Sequence, residues 1–393
     1  MKKTIKHTLL FICFTILMPV NLVQAKNSEN AALNTVGNSA DGDVLCLPGQ
    51  ETSLADDCLA LGPSEILNHL TGIKMTYPLQ PLPAMHPSAD LNYVNFQYAK
   101  LNLEFGEKAG VFGSLQDAVD GTNPLRDIYA GMLIYLSYVQ SADVNNNHYL
   151  QLASGEWVRA SPSTYRDFQG LEFSKTPTNE FGWVINESQP HSGPGYDYPT
   201  LNLTYYREDV IQIFDVKMVN GIEWYLINFN QWLDRPNVRQ VVLNTQAPEG
   251  VPTDRWIEVN LYEQTLSVYD KNELVFAALI ATGDEPYFTQ PGVFQIYEKK
   301  PTENMSGAFA ADKSDYYYLA DVPWTMYFDQ ARALHGAYWR TLFGYPQSHG
   351  CVNLSIGDSR WIYDWANEGD WVYVHDPSGR TPTDPTFYKQ GGA

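Results

Sequence analysis

Cys351 stands in the run Ser348-His349-Gly350-Cys351-Val352-Asn353, and a second imidazole, in His335-Gly336, lies sixteen positions upstream. A sulfur attacks a carbonyl carbon as the thiolate. An unperturbed thiol, with a pKa of about 8.5, is only a few per cent ionised at neutral pH. It therefore needs a base or a cation beside it, and two histidines offer themselves. His349 is two residues away; in an extended segment it shares a side with the sulfur, too close along the chain for in-line proton transfer. His335 comes from a separate segment and is free to approach. Gly350 allows a tight bend, which aims the N–H groups of Gly350 and Cys351 at one spot, as a tetrahedral oxyanion requires. The chemistry expected is acyl transfer through a thioester on a Cys351 of lowered pKa. A metal site made of His335, His349 and Cys351 is the rival. It lacks the usual paired-Cys or His-Glu-x-x-His spacing, so no metal and no cofactor is expected.

These residues need a frame. Ile257, Val259 and Leu261 alternate with polar residues, and Leu266 and Val268 continue after a turn. Asp270-Lys271-Asn272-Glu273 reads as another turn, followed by an apolar run from Leu274 to Ile280 and a further strand from Gly292 to Tyr297. Short connections make this a mostly antiparallel β-meander. Ser355-Ile356-Gly357-Asp358 has the form of a capping box. A helix with Trp361, Ile362 and Trp365 on its apolar face then begins just after the cysteine run, stops at Gly369, and leads into a closing strand from Trp371 to His375.

The whole chain has 393 residues, with 25 Lys and Arg against 45 Asp and Glu, a net charge of −20. That excess disfavours nucleic acid or an anionic membrane surface as a partner. Tyr, Phe and Trp are abundant, which favours strands over helices. Residues 1–25 carry Lys2, Lys3 and Lys6, a short apolar stretch and Val23-Gln24-Ala25, the pattern of a cleaved signal peptide. The stretch is too short to span a membrane, and the expected location is the cell envelope, periplasm or outer face of the wall. In that compartment Cys46 and Cys58 read as a disulfide, leaving Cys351 as the odd cysteine. Unpaired thiols are a liability outside the cytoplasm unless they have a task.

Positions 135–158 and 210–233 repeat at an offset of 75. Val144-Asn145 faces Val219-Asn220, Tyr149 faces Trp224, and Trp157-Val158 faces Trp232-Leu233. Each copy reads as strand, polar turn, strand, short turn, strand. Two small β-barrel-like modules follow, at 91–162 and 165–238, after a linker-like 26–90 with the Cys46–Cys58 loop and a short helical stretch at 64–70. They resemble bacterial Src-homology-3-like modules. That resemblance implies binding to cell-wall polymer, with a plain spacer as the alternative.

His335-Gly336 followed by Ser348-His349-Gly350-Cys351-Val352-Asn353 resembles the signature of the L,D-transpeptidases, the YkuD-type catalytic domain, over 253–378, with 379–393 as a tail. The resemblance implies a mainly β chain whose C-terminal catalytic domain is β-sandwich-like with one short helix. It implies Cys351 as the acyl-accepting nucleophile and His335 as proton donor and acceptor, its ring held by the Gly336 carbonyl. His349 orients the site and shapes the oxyanion pocket, with Gly350 supplying backbone. Ser348 and Asn353 support the turn on the substrate side, Asn353 standing where many relatives carry Arg. The aromatic stretch 303–330 is expected to form a lid, with Trp324 and Tyr327 as substrate contacts. The implied substrates are peptidoglycan stem peptides, joined 3→3 with release of terminal D-Ala. Attack by water would make an L,D-carboxypeptidase instead, and a decayed domain a non-catalytic wall-binding protein. Carbapenem-type β-lactams are the implied covalent inhibitors.

Overall fold

The computed structural model describes Gly72, Met75, residues 80–310 and residues 315–388. The signal segment, the Cys46–Cys58 pairing and the helical stretch at 64–70 lie outside the described residues. Among the described residues no helix is long and apolar enough to cross a membrane.

The chain is mostly β, built around two seven-stranded sheets. In the first, Trp256–Asn260, Thr265–Asp270 and Glu273–Leu279 form the expected antiparallel meander. The turn between the last two puts Lys271 and Asn272 at φ 54° and 61°, left-handed values that Asn tolerates well. The closing strand Trp371–His375 joins in parallel beside Trp256–Asn260. Gly292–Gln295 pairs with that closing strand and stops two residues short of the expected Tyr297. The second sheet runs Val352–Leu354, Arg332–Gly336, Tyr317–Asp329 and on through strands from the N-terminal half. Leu266, Phe276, Leu279, Met326, Leu334, Val352, Ile362 and Val374 are buried together in one core. Each such side chain contributes about 1.5–3 kcal/mol by leaving water. Packing of sheets therefore holds the domain, because one ten-residue helix is marginal alone.

That helix, Ile356–Trp365, opens as expected: the Ser355 hydroxyl accepts from the Asp358 N–H at 3.1 Å. It ends at Ala366, not at Gly369. Gly369, at φ 95°, serves the turn before the closing strand. Asp358 is fully buried; one carboxyl oxygen accepts from the Gly170 N–H, and the other has no hydrogen-bond partner among the described residues. Burial pushes its pKa up to about 7. A carboxyl whose folded pKa exceeds its unfolded value costs stability as pH rises from about 4 through 7. Asp358→Asn should therefore raise the melting temperature at pH 8 but not at pH 4; equal shifts at both would contradict this.

The repeat is visible in the backbone. Gln140–Val144, Asn147–Gln151 and Trp157–Arg159 in one copy match Asp215–Val219, Ile222–Asn228 and Gln231–Asp234 in the other. Both first turns use left-handed residues, Asn145-Asn146 and Asn220-Gly221. The copies differ from the expected pair of separate modules. From the 91–162 region, Leu133–Tyr138, Gln97–Lys100 and Ser161–Ser163, the last running one residue past its expected end, continue the second sheet, Leu133–Tyr138 pairing in parallel with Tyr317–Asp329. Their apolar faces find a larger partner in that sheet than a lone barrel provides. The expected start of the second module at 165 is also too early. Leu171–Phe173 pairs with Glu273–Leu279 in the first sheet, and the module's own strands begin at Glu180–Val184 and end at Val238–Val241. The linker-like 26–90 likewise contributes a strand, Ala84–Met85.

Candidate active site

Parallel pairing of Arg332–Gly336 with Val352–Leu354 sets Leu334 opposite Val352 and His335 opposite Asn353. Side chains alternate along strands, so His335 and Asn353 share a face, and Cys351, one residue before its strand, falls on that face too. The isolated bridge between Ala281 and Asn353 pins this strand to the end of the first sheet. His335, His349, Cys351, Ser348 and Asn353 line one cavity of about 210 Å³. A larger cavity of about 890 Å³ lies over 105–156 and the loop-side half of the 298–329 hairpin; neither Cys351 nor His335 lines it.

His335 is buried at 1% exposure. Its Nδ1 lies 3.2 Å from the Gly336 carbonyl, and its Nε2 lies 3.1 Å from the Asn353 amide nitrogen. The Asn353 oxygen accepts from Arg340 Nε at 3.2 Å, which fixes the amide the other way round. The imidazole therefore donates through Nδ1, and its Nε2 lone pair accepts from Asn353, the tautomer in which Nε2 can act as a general base once that contact breaks. Gly336 has no room for a side chain: a Cβ there would meet Ser359 Oγ at 2.7 Å and Pro323 Cγ at 2.9 Å.

The electrostatics differ from the expected low-pKa thiolate. Burial pushes the Cys351 thiol up to about 11, only partly offset by the Ala333 backbone and the Arg332 guanidinium. Burial, reinforced by Arg340 and opposed by the Gly336 carbonyl, lowers His335 to about 4. The resting pair is a neutral thiol and a neutral imidazole. Sγ rests 3.7 Å from the Ala331 carbonyl oxygen, and Nε2 is engaged by Asn353. The sulfur is thus ionised only as it reacts. Iodoacetamide labelling of Cys351 should be slow at pH 6 and climb steadily into the alkaline range; fast labelling from pH 6 upward would mean a preformed thiolate.

The oxyanion arrangement is also corrected. Gly350, at φ 122°, makes the tight bend, but its N–H donates to Ser348 Oγ at 3.1 Å. The Ser348 hydroxyl in turn donates to the Cys351 carbonyl at 2.5 Å. Ser348 braces the turn from within, and its hydroxyl is spent there and not on a substrate. Thr289, which sequence reading missed, ties the turn to the first sheet. Its buried hydroxyl donates to the Gly350 carbonyl at 2.8 Å and accepts from the Gly283 N–H at 2.9 Å. The only sequence signal was its place in the segment between Gly283 and Pro291-Gly292.

His349 is clasped by rings. Phe309 stacks on it at 4.9 Å, Tyr317 at 6.0 Å, and Tyr287 tilts against it at 4.8 Å. The hairpin of Glu298–Gly307 and Tyr317–Asp329 thus borders the cavity through Met305, Tyr317 and Leu319. Trp324 is not among these residues. At φ 58° it turns away, packing against Tyr363 and Arg360 of the helix. Tyr327 stacks on Tyr297 and lies outside the cavity lining. Left-handed Asp321 and Trp324 break simple alternation within the strand and turn Trp324 away, whereas Tyr327, opposite Ala333, stays close enough to Cys351 for their charges to interact. Trp339, 5.6 Å from the His335 ring, and Arg340 take their place in the lining. Met132 and Leu133, from the first repeat's half of the chain, complete the wall. Among the described residues no group of His, Cys, Asp and Glu has the makings of a metal site.

Comparison with known families matches residues 254–374 to the L,D-transpeptidase catalytic domain, YkuD. Nothing among curated proteins matches the chain. Among solved structures, an L,D-transpeptidase from Stackebrandtia nassauensis is 28% identical over 34% of this chain, with a TM-score of 0.27. The chain spans 59% of that protein's length. The catalytic domain of an E. faecium L,D-transpeptidase is 24% identical over 31% of this chain and 97% of its own, with a TM-score of 0.28. The same domain acylated by ertapenem is 24% identical over 32% of this chain and all of its own, with a TM-score of 0.29.

Proposed function

With residues 254–374 as an L,D-transpeptidase catalytic domain, we propose that the chain is an exported enzyme that forms 3→3 cross-links between peptidoglycan stems. What carries this reading is the placement of Cys351 and a correctly tautomerised His335 on adjacent strands of one cavity, inside the matched region. His335 Nε2 leaves Asn353 and takes the thiol proton as Sγ bonds to the carbonyl carbon of the third, L-centred stem residue. The tetrahedral intermediate collapses; the C–N bond to D-Ala breaks and the imidazolium gives its proton to the leaving amine. An amine from a second stem attacks the thioester, losing its proton to His335, and the thiol is restored. A carbapenem would open its ring on the same sulfur, leaving a stable acyl group. Residues 1–25 direct export to the envelope, Cys46 and Cys58 form a disulfide, and the tandem repeats, which resemble Src-homology-3-like modules, hold the domain near wall polymer.

Incubation of mature protein with a disaccharide-tetrapeptide tests this by mass spectrometry. A dimer lacking one D-Ala is expected. A monomer lacking D-Ala means water is the acceptor and the enzyme is an L,D-carboxypeptidase. No thioester on Cys351 with tetrapeptide or carbapenem would leave a non-catalytic wall protein.

A further inference from the structure

Arg340 is a mostly buried cation in an acidic protein, yet among the described residues no carboxylate lies within ion-pairing distance of it. Its Nε donates to the Asn353 side-chain oxygen at 3.2 Å, one terminal nitrogen to Gln347 Oε1 at 3.4 Å, and the other to the Gln347 carbonyl. All three acceptors are neutral. None of the residues lining the cavity is Asp or Glu, and Arg340 is the one permanent charge in the lining. Burial also lowers its pKa to about 10, which marks the cost of holding a charge there without a counter-ion. Several other arginines are paired with carboxylates, Arg235 with Glu263, Arg255 with Asp270 and Asp370, Arg332 with Asp329; buried Arg239 donates only to backbone carbonyls, but it does not line the cavity. A guanidinium has five N–H groups in a planar fork suited to a carboxylate, and three contacts leave capacity for one more partner.

The position of that partner follows from the hydrogen-bond chain Arg340–Asn353–His335. From His335 Nε2 to the guanidinium runs one amide group with a hydrogen bond at each end. That is close to the reach of a single amino acid held by its amine at one end and its carboxylate at the other. The residue whose amine is protonated by His335 during acyl transfer would therefore set its own carboxylate against Arg340. We propose that Arg340 is the receptor for the free α-carboxylate of the amino acid that leaves. This rests on the acyl-transfer reading above and adds the residue that holds the leaving group. Gln347 and Asn353 hold the guanidinium in place through neutral oxygens, so its charge remains available to the donor.

The test uses two donor tetrapeptides alike except at the C-terminus, one a free acid and one a carboxamide, with the rate of thioester formation on Cys351 read by intact mass. Buried charge-assisted hydrogen bonds are worth about 1.5–3 kcal/mol, so the wild-type protein should acylate from the acid about 10- to 150-fold faster than from the amide. In Arg340→Gln that ratio should collapse toward one, and Arg340→Lys should restore part of it. A merely structural Arg340 would slow both donors alike and leave the ratio unchanged. A wild-type ratio near one, which needs no variant, or an undiminished ratio in Arg340→Gln overturns the proposal while leaving acyl transfer intact. Absence of the thioester with either donor would instead sink the acyl-transfer reading.

Discussion

Cys351→Ala is expected to abolish thioester formation and to lower turnover by on the order of 10⁶-fold, the loss typical of removing a nucleophile. The physical reason is that no other described side chain in the cavity can accept the acyl group. The Ser348 hydroxyl is committed to the Cys351 carbonyl and the Gly350 N–H, and both histidines serve protons or packing. The fold should be little affected. Sγ makes only weak polar contacts, with the Ala331 carbonyl at 3.7 Å and the Ala333 backbone, so the melting temperature should move by only a few degrees. Intact mass after incubation with a carbapenem reads the result directly. A stoichiometric adduct on the variant would show that acylation occurs elsewhere, and the assignment of the nucleophile would fail.

His335 variants should lose about 10²- to 10⁴-fold in turnover, the usual contribution of a positioned base. Stability needs separate control. The ring is buried at 1% exposure and bonds both the Gly336 carbonyl and the Asn353 amide. Its removal strands two buried polar groups, each costing about 1–3 kcal/mol. The folded fraction must therefore be measured beside the rate, and the pH profile gives a readout that misfolding does not imitate. The neutral imidazole is the working form, and its pKa is lowered to about 4 by burial and Arg340. Activity of the wild-type protein on kcat/KM should be flat above about pH 5 and fall as pH drops through about 4, not through 6.5. Stability follows the same sign: His335 favours the unfolded state as pH falls from about 6.5 through 4, because the unfolded ring binds the proton first. An acid limb at pH 6 to 7 that vanishes in His335→Gln would overturn the depressed pKa while keeping the base; an unchanged rate in well-folded His335→Gln would overturn the base itself.

Much of the site was readable in the chain because the residues that matter are few and close in sequence. The run from Ser348 to Asn353 folds as one turn entering one strand, so residue types and spacing nearly determine the local geometry. The Ser355 cap, the meander and the closing strand were legible for the same reason: capping boxes and two-residue turns are local devices. The repeat at an offset of 75 was legible as a pattern, since both copies need the same turn chemistry at Asn145 and Asn220.

What the sequence determined by itself, then, is the candidate nucleophile, its candidate bases and the strands that carry them. What only the tertiary structure decided is everything set by burial and by contacts far apart in the chain. Strand Leu133–Tyr138 extends the catalytic sheet because its face pairs with Tyr317–Leu319, a contact across nearly half the chain that no local pattern encodes. The neutral state of Cys351 and His335 comes from desolvation, which depends on the walls that Met132, Trp339 and Tyr317 build. Arg340 gained meaning only when the fold placed it in that cavity with neutral oxygens for company. Local sequence chooses backbone geometry, but the free energy of a charge is set by its surroundings, and those are assembled from distant segments.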